Sequence, residues 1–461
     1  MIPILDFQRR SLRGKAMKAQ DFDMAFAMKV RELVDRYGIS FDPDQLIVDD
    51  ETADAVFNAG VDLLAEVGLY QLDTQRVIEY TRDEILELAA ERKADPAFVT
   101  MGRGDDEVTL AYRTADEERP PTLYVGMAGA INEEEFVPLM SSFARERRIE
   151  GMGIAGGITR VGDVVPEAGT LSEIYCALWE QERLREVLEA VGRPGMSLGL
   201  LCTASTASAT MACVDGEFRG PHNTHIGIHI IPDQKVNWER FLLAHFCQQR
   251  GIVPWQSAMA MIGAFCRNGA EAAVALVASI LGHLSYGHGA ICSVFPTHID
   301  GTWATRDCVW AISGGARASE RNIGLAIGSI VVGSMEWHGT PIVTMQEAAQ
   351  CLIHTKSGVA YTWIAGFGPH EVVYSADLME FACHLSRDEA MDLARKIFAR
   401  IDELVPKFER MTRTPTVVDF YDVETMEPRK KHLEVFEQAK EELAKLGVVS
   451  LLKIPSRPGG E

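Results

Sequence analysis

The sequence predicts an α/β fold, a (β/α)₈ TIM barrel with an N-terminal helical extension and a C-terminal helical segment. Three observations predict it. From Pro121 onward, eight short runs rich in Gly, Val and Ile alternate with longer helical patterns. The runs are near-continuously apolar, as parallel strands covered on both faces are. The first 115 residues lack this texture and are charged and helical in period. Eight strand–helix units suggest a closed barrel, with a doubly wound open sheet as the structural alternative.

The extension, residues 1–115, opens with apolar residues at three- and four-residue spacing over Met24–Tyr37 and Asp50–Val67. These two helices should end at Gly38 and Gly68, where a left-handed residue suits the chain exit. Thr81 followed by Glu84 reads as a capping box before Ile85. The barrel, residues 116–405, should place strands near Thr122–Met127, Glu150–Ile158, Met196–Thr203, His225–Ile231, Gly251–Met259, Gly289–Phe295, Ser329–Met335 and Val359–Gly366. Helical patterns lie between them, at Glu133–Arg148, Leu171–Ala190, Trp238–Arg250 and Ala270–Ser285. One further pattern, Asp377–Val405, would supply the eighth barrel helix. The C-terminal segment, residues 406–461, holds a charged helix over His432–Leu446 and a tail expected to fray.

Composition narrows the function. Hydrophobic residues make up 47% of the 461-residue chain, enough for a large core. With 45 basic and 66 acidic residues the formal charge is −21, which disfavours nucleic acid and anionic membranes as partners. Nine cysteines without a CxxC pair read as reduced thiols of a cytoplasmic protein. The N-terminus carries no apolar stretch of signal-peptide length. Ala272–Ile299 holds no Lys, Arg, Asp or Glu, but its histidines and glycines fit a buried helix and strand better than a membrane span.

In such a barrel the site forms where the C-terminal ends of the strands meet. The candidates are therefore Gly156-Gly157, Gly199 to Ala204, Trp255-Gln256, Phe295 to Asp300, Glu336-Trp337-His338 and Gly366 to His370. Gly151 to Gly156 matches GxGxxG by letter, yet no helix opens after it, so dinucleotide binding is not expected. His225 and His229 share one strand face by period two. With His298 and His338 they form a set that zinc would accept. Ligand spacing within one segment is absent, however, so they read first as barrel-interior or substrate-orienting groups and zinc is not expected. Trp255, Trp303, Trp337 and Trp363 gather near strand ends, where aromatic faces attract methylated ammonium groups.

A family resemblance runs through the chain in one order. It is carried by Met28–Ile85, by Met152–Gly162 (MGIAGGITRVG), by Ala190–Met196 (AVGRPGM) and by Asn223-Thr224-His225. Ala244-His245, Pro296–Ile299 with Thr305-Arg306, and Phe420–Val423 continue it. These stretches resemble the corrinoid-dependent methylamine methyltransferases, in particular the archaeal monomethylamine enzymes. The resemblance implies a (β/α)₈ barrel that moves a methyl group from an amine to the cobalt of a separate corrinoid protein. It also implies a homo-oligomer.

The same resemblance places pyrrolysine, the family's electrophile, at a position that is Gly199 here. The family's pocket acids fall at Cys202, Ile226 and Gln256. A glycine has no electrophile, so the pyrrolysine route is not expected to run. The vacated space would admit a bulkier donor, quaternary ammonium included. Trp255, Phe265 and Trp337 would be its walls. Gln256, His298 and Cys202 would be polar neighbours. Arg306, with Arg160 second, would be the cation for a carboxylate-bearing donor. Gly199, His225 and His298 are the catalytic positions expected, and Glu336 and His338 complete the substrate-binding set. Two other readings stay open. One is an O- or S-methyl demethylase of the same corrinoid system, zinc-assisted. The other is an inactive homologue that binds a corrinoid protein or regulates it.

Overall fold

The computed structural model describes residues 2–126, 129–154, 157–201, 203–287 and 289–448. Eight parallel strands form its central sheet: β1 (Thr122–Gly126), β2 (Gly151–Ile154), β3 (Ser197–Leu201), β4 (His225–His229), β5 (Val253–Ile262), β6 (Ile291–His298), β7 (Ala326–Val331) and β8 (Tyr361–Ala365). Each of the runs expected from sequence overlaps one of them. The order is β3-β2-β1-β8-β7-β6-β5-β4, so the two end strands are consecutive in the chain. Among the described residues they meet through a single parallel bridge, Leu198 to Thr224. The barrel is therefore nearly closed, with its eighth pairing reduced to one contact.

A helix follows each strand: α1 (Glu133–Arg145), α2 (Leu171–Ala190), α3 (Ala207–Ala212), α4 (Trp238–Arg250), α5 (Gly269–Tyr286), α6 (Arg306–Asn322), α7 (Pro341–Lys356) and α8 (Pro369–Cys383). Side-chain caps fix their starts. Asn237, Asn268 and Thr305 each accept a backbone N–H at the first turn of α4, α5 and α6. Where sequence gave one helix over Asp377–Val405, there are two, α8 and Arg387–Leu404. The break falls at Ser386, whose hydroxyl and Glu389 form a capping box that starts the second helix. Strand β7 lies earlier than expected, because the chain after Val331 turns out to meet α7, with the Ser334 N–H donating to Gln346.

The N-terminal segment does two things for the barrel. Its helix Asp50–Val67 covers α5, and Gly60 lets the two backbones approach, since a Cβ there would stand 2.6 Å from Val277. Helix α5 is long and apolar enough to cross a membrane, yet every residue of it is buried inside the protein. The hairpin of Phe98–Met101 with Val108–Ala111 then closes the N-terminal end of the barrel. Its backbone donates from Gly102 to His222 and from Arg103 to Gly195, the turns that lead into β4 and β3. That leaves the C-terminal ends of the strands as the open face, where barrel sites form. The capping box at Thr81 and Glu84 and the positive φ of Gly38 and Gly68 are as the sequence predicts. The eight cysteines among the described residues are buried and unpaired. The tail beyond Val448 and the strand-end positions Met127, Gly156 and Cys202 lie outside the described residues.

Candidate active site

Period-two alternation sets which side chains enter the barrel. On β5, Trp255 and Ser257 point in. Gln256 therefore points out, where its amide donates to the His283 carbonyl of α5. Near the closed end, Ser293 accepts the Trp255 indole N–H at 2.8 Å and shares a hydrogen bond with the Tyr361 hydroxyl at 2.9 Å. Tyr124 and Ser197 share another at 2.8 Å. Above these polar ties lies an aromatic layer. The Trp255 and Trp363 ring centres are 5.3 Å apart, and Tyr124 stands 5.0 Å from Trp363.

His225 sits among those three rings, 5.3 Å from Tyr124, 5.8 Å from Trp255 and 5.9 Å from Trp363. Neither ring nitrogen has a hydrogen-bond partner. Burial, and secondarily the charge of Arg219, pushes its pKa down to about 3. The imidazole is therefore neutral at physiological pH. His229, one turn of the pleat later, shares a hydrogen bond with Ser257 and meets the Trp255 edge at 5.2 Å. Burial and then Arg240 push its pKa down to about 3 as well. Toward the mouth come Phe295, with Met259, Ile330 and Trp303 packed against the same aromatic cluster and half-exposed. Among the described residues named on this inner face, none is a carboxylate or a lysine.

Gly199 belongs to this layer, but no vacant slot surrounds it. A Cβ at position 199 would stand 2.3 Å from His225 Nε2 and 2.6 Å from the Trp363 ring. Real Cβ atoms do not approach so closely. Glycine is here the residue that lets two buried rings reach the strand, and the expectation of emptied space is corrected accordingly. The Gly199 carbonyl accepts from Arg219 Nη1 at 3.0 Å. Beyond the Leu198–Thr224 bridge a split separates β3 from β4. A cavity of about 240 Å³ occupies the split and reaches Gly199, His225, Gly227 and His229 on the barrel side. Beside it Glu180 accepts from the Thr203 hydroxyl at 2.5 Å and from the Ile158 N–H at 3.1 Å. Burial pushes its carboxyl up to about 7.

The structure thus brings Gly199, His225 and Trp255 together and disperses the other nominated residues. His298 ends β6 and bonds Thr305 at the start of α6, 3.0 Å away. Gln256 faces α5, and Ile226 is likewise buried on the outer side of its strand. Phe265 lies outside the barrel under Lys235, 4.8 Å from its ring centre. Arg306 forms an ion pair with Asp402 at 2.7 Å and lies over Phe398. Arg160 is exposed. Trp337 is buried under Arg410, and the carbonyl of Glu336 accepts from Met411 N–H. His338 packs between Phe367 and Phe420, so these three serve the seat of the C-terminal segment. Cys202 is not among the described residues. Among those that are, no three His, Cys, Asp or Glu side chains gather as a metal site.

Two functional features escaped the sequence. Arg219 and Arg240 line the split, and a loop arginine or a helix-face arginine carries no motif that would single it out. The AVGRPGM stretch has a structural duty. Arg193 is buried, pairs with Asp106 at 2.7 Å, and donates to the carbonyls of Ala144, Glu146 and Ile149. It ties the hairpin that closes the barrel to the turn before β3.

Comparison with known proteins agrees over the whole length. A sequence profile of the family described as Monomethylamine methyltransferase MtmB matches residues 2–448. Monomethylamine methyltransferase MtmB of Methanosarcina mazei is 25% identical over 458 residues, covering 96% of this chain and 98% of its own. MtmB2 of Methanosarcina acetivorans is 24% identical over 459 residues with the same coverage. The crystal structure of the Methanosarcina barkeri enzyme superposes with a TM-score of 0.84 at 21% identity, covering 97% of this chain and 98% of that one. The chain belongs to the monomethylamine methyltransferase MtmB family of enzymes.

Proposed function

We propose that this enzyme moves a methyl group from a small N-methylated compound, quaternary ammonium included, to the Co(I) of a separate corrinoid protein, without pyrrolysine chemistry. The observation that carries the reading is Gly199 under His225 and Trp363, which leaves no room for any side chain at the family's electrophile position. The family supports methyl transfer to a corrinoid protein, and the packing at 199 argues against amine activation by an adduct. A donor whose nitrogen already carries full positive charge needs no adduct.

The acceptor supplies the nucleophile. In the transfer a Co–C bond forms and the C–N bond breaks. The C–N electron pair leaves with nitrogen as a neutral amine, so a quaternary donor requires no proton. This chain's own part is orientation and exclusion of water. The half-exposed ring of Trp303 at the mouth offers a methylated ammonium an aromatic face. Neutral His225 and His229 neither repel it nor protonate the departing amine, and Met259 and Ile330 keep the mouth apolar. The test is a demethylation screen with a reduced corrinoid protein and N-, O- and S-methyl compounds, read as methyl-cobalt absorbance. A signal from tertiary or quaternary N-methyl donors, and none from monomethylamine, is expected. Turnover of monomethylamine alone, or of none of the compounds, refutes the reading.

A further inference from the structure

The cavity at the split between β3 and β4 is lined by two guanidinium groups, those of Arg219 and Arg240. Arg219 is fully buried. It donates Nε to Gln181 and Nη1 to the Gly199 carbonyl, and its Nη2 has no partner among the described residues. Arg240, on α4 across the split, has a buried Nε with no partner. Neither forms an ion pair among the described residues. Both line the cavity of about 240 Å³, together with the hydroxyl-bearing Ser205, Thr210 and Thr224. Ser205 is exposed and follows the C-terminal end of β3, so the cavity opens on the mouth side of the barrel.

Charges so placed are costly without a counter-ion. Burial already lowers the Arg219 pKa to about 10. The buried carboxyl of Glu180 is pushed up to about 7 and is engaged by Thr203 and Ile158. The histidines on the barrel side are neutral. A bare methylammonium entering here meets two guanidinium groups, while the buried carboxylate at the cavity's edge, Glu173, is already engaged by the hydroxyls of Ser205 and Thr206. A donor that brings its own carboxylate meets two unfilled guanidinium donors, the geometry that suits a carboxylate best.

We propose that this cavity is the carboxylate pocket of the methyl donor, and that the donor is a small zwitterion, an N-methylated amino acid. Arg219 Nη2 and the Arg240 guanidinium hold the carboxylate in the split. The methylated nitrogen then lies on the barrel side, along His225, Gly227 and His229, facing the mouth. The assignment rests on the methyl-transfer reading above and narrows its substrate class. It also moves the carboxylate partner from Arg306, which is occupied by Asp402, to the interior of the β3–β4 split.

The test is calorimetric binding to the full chain in the absence of corrinoid protein, with matched pairs. N-methylglycine is compared with methylamine, N,N-dimethylglycine with dimethylamine, and N,N,N-trimethylglycine with tetramethylammonium. In at least one pair the acid should bind about tenfold or more tightly than its partner, the weight of one charge-assisted hydrogen bond. Acetate should compete. Arg219→Lys and Arg240→Met should remove the preference, whereas Arg306→Ala should keep it. Should Arg219→Lys melt too low to be assayed, Arg240→Met decides alone. Equal binding within every pair overturns the proposal. So does a preference that survives Arg240→Met, or binding of inorganic phosphate that no N-methylglycine displaces. Because corrinoid is absent, a carboxylate preference without methyl transfer would keep the pocket and remove the methyl-transfer reading. Transfer from plain amines would do the reverse.

Discussion

Substituting Gly199 by alanine should cost far more than a single methyl group normally does. The new Cβ would sit 2.3 Å from His225 Nε2, about 1.2 Å inside the roughly 3.5 Å at which non-bonded atoms begin to attract. Relief would require His225 to move. It is boxed by Tyr124, Trp255 and Trp363, and Trp255 is itself held by its hydrogen bond to Ser293. Over-packing in a core that can shift costs about 1–3 kcal/mol, and the boxed ring puts Gly199→Ala at the upper end. The cost should be specific to His225. In Gly199→Ala/His225→Ala the added methyl group enters the space the imidazole leaves. The double variant should therefore be more stable than the sum of the singles by on the order of 2 kcal/mol, a coupling reserved for residues in contact. Urea unfolding followed by tryptophan fluorescence reads all four corners of the cycle. Additive effects, or a Gly199→Ala protein as stable as the parent, would refute the argument and reinstate open space at position 199.

Two further perturbations test the frame around that layer. Asp106→Ala should destabilise by about 3–5 kcal/mol, because it leaves the buried Arg193 guanidinium without its counter-charge; urea unfolding measures it, and a loss under 1 kcal/mol would refute the account. His354 is buried behind β7, where it bonds Ser329 at 3.0 Å and burial pushes its pKa down to about 3. Its unfolded counterpart titrates near 6.5, so the stability it contributes is whole above pH 6.5 and is lost as pH falls toward 3. The cost of His354→Gln, read as the difference in melting temperature from the parent, should therefore shrink between pH 7 and pH 4.5 by on the order of 2 kcal/mol; a pH-independent cost would contradict the sign.

The strands were legible because a parallel strand buried on both faces writes its burial into a short run of residues. The extension was legible because capping and exit signals at Thr81, Gly38 and Gly68 are local. The site was less legible, for reasons that can be named. Trp255 and Gln256 were both nominated for the mouth, although neighbours in a strand must face opposite ways; period two states the conflict but does not say which residue wins. That choice is made by α5, whose His283 carbonyl takes the Gln256 amide. Likewise a glycine in place of a large residue suggests a hole when read along the chain. Whether the hole persists depends on Trp363, which arrives from the far end of the sequence. Arg306 looked free because Asp402 lies in a helix that the sequence merges with its predecessor.

The barrel's incomplete closure links these observations. A full β3–β4 ladder would have left no space for a cavity. Among the described residues only the Leu198–Thr224 bridge forms there, and the Gly199 carbonyl is reached by a charged guanidinium, that of Arg219. A neutral donor such as asparagine would satisfy the carbonyl at lower desolvation cost. Placing arginine there makes sense only if its remaining N–H groups have work to do, and the Nη2 that points to no protein acceptor is the group left free for it. The same split that weakens the barrel wall therefore presents fixed positive charge within reach of the inner aromatic layer. Closing it by design, with Arg219 replaced and the β3–β4 ladder completed, would be expected to strengthen the barrel while abolishing the carboxylate binding proposed for the cavity. That opposition between stability and binding is the behaviour expected of a functional gap and not of a folding defect.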